Sequence, residues 1–222
     1  MKKTMIIVAG GSGTRMGASI PKQFIELLGK PILMHTLEKL HAIGPLMELI
    51  LVLPKTEMRT WEQLCEKHNF DIPHSITEGG ETRFESVQNG LAKVTDSELV
   101  GVHDGVRPFV SAQVINACFS SAARDGAAIP VVAIVQSLRK MEGEKSKAVN
   151  RNDFRAVQTP QCFQTTILKK AFAQAERTDF SDDASVVEAA GYSIKLVEGN
   201  TENIKLTTPT DLAWAKLMLE DH

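Results

Sequence analysis

This 222-residue sequence has few cysteines, nearly balanced numbers of acidic and basic residues, and no long apolar run. Each of these features excludes or disfavours a class of protein. The three cysteines, Cys65, Cys118 and Cys162, are odd in number and widely spaced, which excludes a disulfide-stapled scaffold and disfavours a zinc site. Lys and Arg number 25 against 27 Asp and Glu, without the basic excess typical of DNA- and RNA-binding domains. No stretch approaches the roughly 20 apolar residues of a membrane span.

These scarcities favour a cytoplasmic protein that has neither a nucleic acid nor a membrane as partner. Unpaired, scattered cysteines suit a reducing compartment. The start of the chain carries two lysines, as a signal peptide does, but the apolar run 5–9 that follows is too short for one.

Short apolar runs rich in β-branched residues alternate with longer segments of helical period, which is typical of an α/β protein. The pattern predicts a Rossmann-like, open, mostly parallel twisted sheet with helices on both faces. With 43% hydrophobic and 23% charged residues and no linker-like tract, a single domain over residues 1–222 is expected. The predicted strands are 5–9, 49–53, 99–103, 128–135 and 193–197, and the predicted helices are 32–43, 57–68, 82–94, 112–124, 166–177, 183–190 and 210–219.

Residues 136–154 interrupt this alternation with a charged segment that has Gly143 at a plausible turn. We interpret the segment as a protruding β-hairpin arm, long enough to reach a second subunit. A solvated surface loop is the alternative that the charge pattern leaves open.

A glycine-rich loop follows the first predicted strand, with Gly10, Gly11 and Gly13 where backbone N–H groups can approach a phosphate. The loop is not a dinucleotide fingerprint, because Met16 stands where that motif needs glycine or alanine. It is not a P-loop either, because Gly17 is not followed by Lys and then Ser or Thr.

Two cationic residues, Arg15 and Lys22, accompany this loop. Pro21 restricts the backbone just before the lysine. A guanidinium and an ammonium converging on a glycine loop are typical of a triphosphate clamp. The alternative is that both side chains simply solvate a surface loop.

Three further positions, Asp104, Gly80 and Lys205, are candidates for ligand contacts. Asp104 ends a predicted strand, at the edge of the sheet where ligands of open α/β folds bind, although Asp-Gly is also a common turn. The neighbouring His103 is interpreted as a satisfied histidine rather than a ligand. Gly80 precedes a predicted helix whose N–H groups we expect to be open to a base edge, and Lys205 is expected on a short strand.

Taken together, these motifs resemble the 2-C-methyl-D-erythritol 4-phosphate cytidylyltransferase family. The resemblance runs in order over residues 5–212 and rests on G-x-G-x-R-M, P-K-Q, G-G-x-x-R-x-x-S, H-D-G-V-R-P, T-P-Q, S-D-D-A-S and N-I-K-L-T-x-P-x-D-L. It implies a nucleotidyltransferase of the non-mevalonate isoprenoid pathway that joins CTP and methylerythritol 4-phosphate and releases pyrophosphate. It further implies Mg²⁺, bound mainly through the CTP phosphates, and a homodimer formed through the 136–154 arm.

The resemblance also assigns roles residue by residue. It implies catalytic roles for Arg15, Lys22 and Lys205. The positions that match the cytidine and phosphate contacts are Ala9, Gly10, Gly11, Gly13, Gly80, Glu81 and Ser86, and those that match the ribose site are Asp104 and Gly105. The positions that match the substrate side are Arg107, Thr159, Ser137 and Arg151, the last two on the arm. No residue is assigned as a metal ligand.

A sibling reaction with ribitol 5-phosphate remains the alternative, because the two polyol phosphates are similar and a few arm contacts can discriminate between them. A nicotinamide-dependent oxidoreductase is disfavoured, because Pro54 and Lys55 stand after the second predicted strand where an acidic ribose ligand is expected.

Overall fold

A computed structural model describes residues 1–10 and 20–220 of the chain. Its centre is an eight-stranded sheet. The strands are β1 Lys3–Val8, β4 Glu48–Leu53, β5 Ser75–Glu78, β6 Leu99–Asp104, β7 Ala127–Ala133, β10 Arg155–Val157, β11 Gln161–Gln164 and β12 Lys195–Glu198. They lie in the order β10-β7-β11-β6-β1-β4-β5, and β12 also pairs with β7.

The pairing of these strands confirms the expected mostly parallel sheet. β1 runs parallel to β4 and β6, β4 to β5, and β7 to β12. Antiparallel pairing joins β11 to β6 and to β7, and β10 to β7. Because β1, β4 and β6 are parallel, their carboxyl ends meet at one edge, where Ala9, Leu53 and Asp104 lie.

Helices cover both faces of the sheet, as predicted. The α-helices of the described chain are α1 Ile32–Ile43, α2 Lys55–His68, α3 Arg83–Lys93, α4 Ala112–Asp125, α5 Thr165–Gln174, α6 Asp183–Ala189 and α7 Pro209–Glu220, and Lys22–Phe24 and Arg151–Asp153 form short 3-10 helices. Met5 and Ile7 of β1 pack into one core with α1, α2 and α4, whereas Ile6 packs into the opposite core with α3, α5 and α6. This alternation is the two-residue period of a strand buried on both faces.

Residues 136–154 contain the predicted hairpin, β8 Leu138–Glu142 paired with β9 Lys145–Val149 as a separate, largely exposed two-stranded sheet. Gly143 opens its two-residue turn with φ +65°, which glycine adopts without a steric penalty. A second small hairpin joins β2 Glu26–Leu27 to β3 Lys30–Pro31. Over residues 1–10 and 20–220, no helix has the length and apolar character needed to cross a membrane.

Candidate active site

A cavity of about 210 Å³ opens at the carboxyl edge of β1, β4 and β6. This is the edge at which open α/β sheets bind their ligands. Many of the sequence-predicted residues line it. They are Ala9, Gly10, Lys22, Gly80, Glu81, Ser86, Asp104 and Lys205. Gly11, Gly13 and Arg15 lie outside the described residues.

The turn before α3 forms one wall of this cavity. The sequence predicted N–H groups open to a base edge there, but three of them are bonded within the chain. Gly80 N–H donates to Ser86 Oγ at 3.1 Å, and the N–H groups of Glu81 and Thr82 donate to Glu85 Oε2 at 2.7 and 3.2 Å. Thr82 and Glu85 form a capping box, in which Thr82 Oγ1 in turn accepts from Glu85 N–H, and Ser86 Oγ separately holds the Gly80 N–H. The Thr-x-x-Glu spacing in the sequence is the signal that could have predicted this arrangement.

Glycine is required at the turn before α3, because the backbone approaches the helix closely there. A Cβ on Gly80 would lie 2.2 Å from Glu85 Cβ, and one on Gly79 would lie 2.9 Å from Ser86 Oγ. The two glycines therefore keep Ser86 directly beside the cavity wall.

Asp104 is the electrostatic centre of the site. Its Oδ2 accepts a hydrogen bond from Arg107 Nε at 2.9 Å and lies 3.2 Å from Lys205 Nζ. Burial alone would raise the pKa of the Asp104 carboxyl, but the charges of Lys205 and Arg107 outweigh it and hold that pKa well below its usual range. Asp104 therefore stays ionised and can accept a hydrogen bond from a ligand hydroxyl.

A second cavity, of about 310 Å³, adjoins the first and shares Arg83, Asp104 and Lys205 with it. Arg107 and Thr159, the substrate-side residues predicted outside the arm, both line this second cavity. Gly80, Glu81 and Ser86 thus line the first cavity and Arg107 and Thr159 the second, while Asp104 and Lys205 lie on the common wall.

The Thr159 hydroxyl links the loop between β10 and β11 to the end of β6 at this wall. It accepts a hydrogen bond from Asp104 N–H at 3.1 Å and lies 3.0 Å from His103 Nδ1. His103 Nε2 lies 3.1 Å from the Arg107 carbonyl oxygen, so Nε2 carries the proton and Thr159 donates to Nδ1. Burial lowers the pKa of His103 to about 4, so the ring is neutral near pH 7. His103 is thus the satisfied histidine that the sequence predicted.

Gly105 lies outside both cavities, although the resemblance placed it at the ribose. Its N–H donates to the Val8 carbonyl at 3.0 Å and its own carbonyl accepts from Thr36 Oγ1 at 3.0 Å. A Cβ on Gly105 would lie 3.0 Å from both Ala9 Cβ and Leu33 Cδ1, so this glycine permits close packing beneath the site.

The arm residues Ser137 and Arg151 are exposed and line neither cavity within this one chain. Arg151 Nη1 donates to the Val135 carbonyl at the base of the arm. Lys205, predicted on a strand, lies instead in a segment, 203–207, to which neither strand nor helix is assigned. A backbone hydrogen bond from Leu206 N–H to the Val106 carbonyl at 3.0 Å joins that segment to the residues after β6, but it does not continue into a ladder.

Arg83 lines both cavities, and no role was predicted for it. It is the first residue of α3 and forms a two-fold hydrogen bond with Asp183, the first residue of α6, at 2.9 and 2.6 Å. Burial alone would lower the pKa of Arg83, but the charge of Asp183 outweighs it and raises that pKa, so the guanidinium is permanently charged. The sequence signal that could have identified Arg83 as a site residue is its position in the motif G-G-x-x-R-x-x-S.

The described site combines a cavity at the carboxyl edge of a mostly parallel sheet with two lysines, an ionised aspartate and a glycine turn. Such an arrangement is typical of α/β enzymes that bind a phosphorylated nucleotide.

Comparison with known proteins specifies the family. The family model for 2-C-methyl-D-erythritol 4-phosphate cytidylyltransferase matches residues 4–221. The enzyme of that name from Bacteroides fragilis is 53% identical over 219 residues, covering 99% of this chain and 100% of that protein. The one from Porphyromonas gingivalis is 48% identical over 220 residues, covering 98% of each.

Solved structures give the same result. The crystal structure of the cytidylyltransferase from Thermus thermophilus aligns with a TM-score of 0.83 at 35% identity, covering 99% of this chain and 100% of that one. The chain therefore belongs to the 2-C-methyl-D-erythritol 4-phosphate cytidylyltransferase family. It is a nucleotidyltransferase of the non-mevalonate isoprenoid pathway, and the ribitol 5-phosphate alternative is not favoured.

Proposed function

We propose that CTP occupies the cavity beside Gly80 and that methylerythritol 4-phosphate occupies the adjoining cavity beside Arg107. The observation that carries this assignment is the common wall, because Arg83, Asp104 and Lys205 line both cavities. Two anionic substrates can then meet at shared cations while each retains its own set of contacts.

The reaction at this wall is an in-line displacement. An oxygen of the methylerythritol phosphate forms a bond to the α-phosphorus of CTP, the bond from that phosphorus to the β-phosphate bridging oxygen breaks, and pyrophosphate leaves with the electron pair. No proton need be transferred, so the protein acts by positioning the two phosphates and offsetting their charge. Lys22, Lys205 and Arg15 are the cations that we assign to this role.

The CTP contacts follow the residues that the cavity brings together. Gly80, Glu81 and Ser86 are assigned to the cytosine end, Asp104 to the ribose hydroxyls, and Ala9 and Gly10 to the phosphates. Gly11 and Gly13 are proposed to extend the phosphate contacts. Gly105 supports the ribose site through its packing against Ala9.

Mg²⁺ is proposed to bind mainly through the CTP phosphates. Over the described residues, no group of three or more acidic, histidine or cysteine side chains comes together, so the described chain provides no cage of its own for a metal. Mg²⁺ commonly binds through substrate phosphates together with only one or two carboxylates. When bound, the ion offsets charge on the triphosphate.

A homodimer is proposed in which the arm of one subunit reaches the polyol cavity of the other. Ser137 and Arg151 are exposed and line neither cavity of their own chain, and exposed apolar side chains lie at the base of the arm, Val135 at 72% and Phe154 at 45% exposure. A second copy would cover these side chains and receive the arginine. The free state of all three cysteines supports a reducing, cytoplasmic location.

The two-cavity assignment is tested by Arg107→Met. This variant removes a cation from the polyol cavity and leaves Asp104 paired with Lys205. Loss of a charged hydrogen bond of about 2 kcal/mol should raise KM for methylerythritol 4-phosphate about thirtyfold. KM for CTP should stay within about twofold.

Arg124→Met serves as the matched control, because Arg124 lies on α4 and lines neither cavity. An equal rise of both KM values in folded Arg107→Met would contradict the separation of the two ligands.

A further inference from the structure

Asn203 lies two residues before Lys205 and is fully buried. Its backbone carbonyl accepts hydrogen bonds from Arg107 Nη1 at 2.8 Å and from Gln158 Nε2 at 3.3 Å. Its side-chain Nδ2 donates to the Thr159 carbonyl at 2.8 Å. One residue therefore ties together the three chain segments that carry Arg107, Thr159 and Lys205.

These contacts determine the direction of the Arg107 guanidinium. Nε donates to Asp104 and Nη1 donates to the Asn203 carbonyl. Among the residues that the structure describes, none forms a hydrogen bond with Nη2 of Arg107. With two of its three nitrogens held by the protein, the guanidinium has a defined orientation and one nitrogen available to an anion in the polyol cavity.

The buried Asn203 amide lowers the stability of the fold at one of its two polar atoms. Its Oδ1 is buried and finds no hydrogen-bond partner among the described residues. An unsatisfied buried oxygen is unfavourable, so simple filling of the core would be better served by an apolar side chain. The useful part of the amide is the Nδ2 donor, which fixes the Asn203 backbone to Thr159.

We propose that Asn203 is a positioning residue, which aims Arg107 at the polyol phosphate and so sets the affinity for that substrate. The inference rests on the proposed placement of the polyol phosphate beside Arg107. Asn203 itself touches no substrate in this account and acts only through the arginine.

Asn203→Asp tests the proposal, because an ionised carboxylate of the same shape cannot donate to the Thr159 carbonyl. KM for methylerythritol 4-phosphate should rise about tenfold, while kcat and KM for CTP should each stay within about twofold. Gln164→Glu is the matched control, since Gln164 Nε2 donates to the Ala123 carbonyl at 3.2 Å and lines neither cavity. Should Asn203→Asp fail to fold, Asn203→Ser removes the same reach without adding charge and carries the same expectation.

A double-mutant cycle with Arg107→Met separates positioning from a merely structural role. If Asn203 acts through Arg107, Asn203→Asp should add no further rise in KM once Arg107 is methionine. An additional tenfold rise in that background would overturn the inference, as would unchanged KM for the polyol phosphate in Asn203→Asp alone. If Arg107→Met itself leaves that KM unchanged, the proposed placement of the polyol phosphate falls and the Asn203 inference falls with it.

Discussion

Replacing Lys205 by methionine should impair catalysis far more than folding. Lys205 Nζ lies 3.2 Å from Asp104 Oδ2, and the lysine side chain is 40% exposed. Water screens the lysine end of this pair, although Asp104 is only 10% exposed, so the pair should contribute about 1 kcal/mol to stability. Asp104 also keeps its hydrogen bond from Arg107 at 2.9 Å, so the substitution leaves no buried charge without a partner.

The loss in the transition state should be larger, because Lys205 lies on the wall shared by both cavities. Removing one preorganised donor from developing charge costs about 3 kcal/mol, or a hundredfold or more in rate. Pyrophosphate release at varied CTP and methylerythritol 4-phosphate measures kcat/KM, and urea unfolding of the same preparations measures stability.

Lys67→Met is the control for this experiment. Lys67 Nζ pairs with Glu26 Oε1 at 3.0 Å on the surface, and it lines neither cavity. It should change both quantities little. A folded Lys205→Met enzyme that keeps kcat/KM within about threefold of the unmodified enzyme would refute the reasoning.

Two further outcomes are expected. Between about pH 6.5 and about pH 4, an unfolded chain binds a proton at His103 that the folded protein excludes, so the free energy of unfolding should fall as pH is lowered, by up to about 1.4 kcal/mol per pH unit. Urea unfolding of His103→Gln should show a shallower fall, and an unchanged slope would contradict the burial argument. Mixing inactive Arg151→Ala and Lys22→Ala subunits in equal amounts should restore about a quarter of normal activity, because half the dimers are mixed and each contains one intact site. Confirmed mixed dimers without activity would exclude a composite site.

The sequence predicted long elements well and short ones poorly. α1 begins after Pro31 and ends before Gly44, so helix-breaking residues together with the apolar period locate both of its ends as predicted. β5, β10 and β11, with four, three and four residues, were not predicted, whereas β12, also with four residues, lies in the predicted apolar run 193–197. The three missed strands pair with β4, β6 or β7, so distant partners define them more than local pattern does.

The sequence likewise predicted some residues of the candidate site and missed others. Lys22 and Asp104 were predicted because each is adjacent in sequence to a strand or a glycine loop at the ligand edge of the sheet. Arg83 and Asn203 were not, because their roles depend on Asp183 and Arg107, which lie about 100 residues away along the chain. Local pattern carries no information about such partners until the sheet brings them together.

The choice of methylerythritol 4-phosphate as substrate is tested most directly by pyrophosphate release with CTP and Mg²⁺, measured in parallel with methylerythritol 4-phosphate and with ribitol 5-phosphate. We expect strong preference for the branched methylerythritol substrate, expressed as the ratio of the two kcat/KM values. Preference for ribitol 5-phosphate, or no release with either substrate, would contradict it.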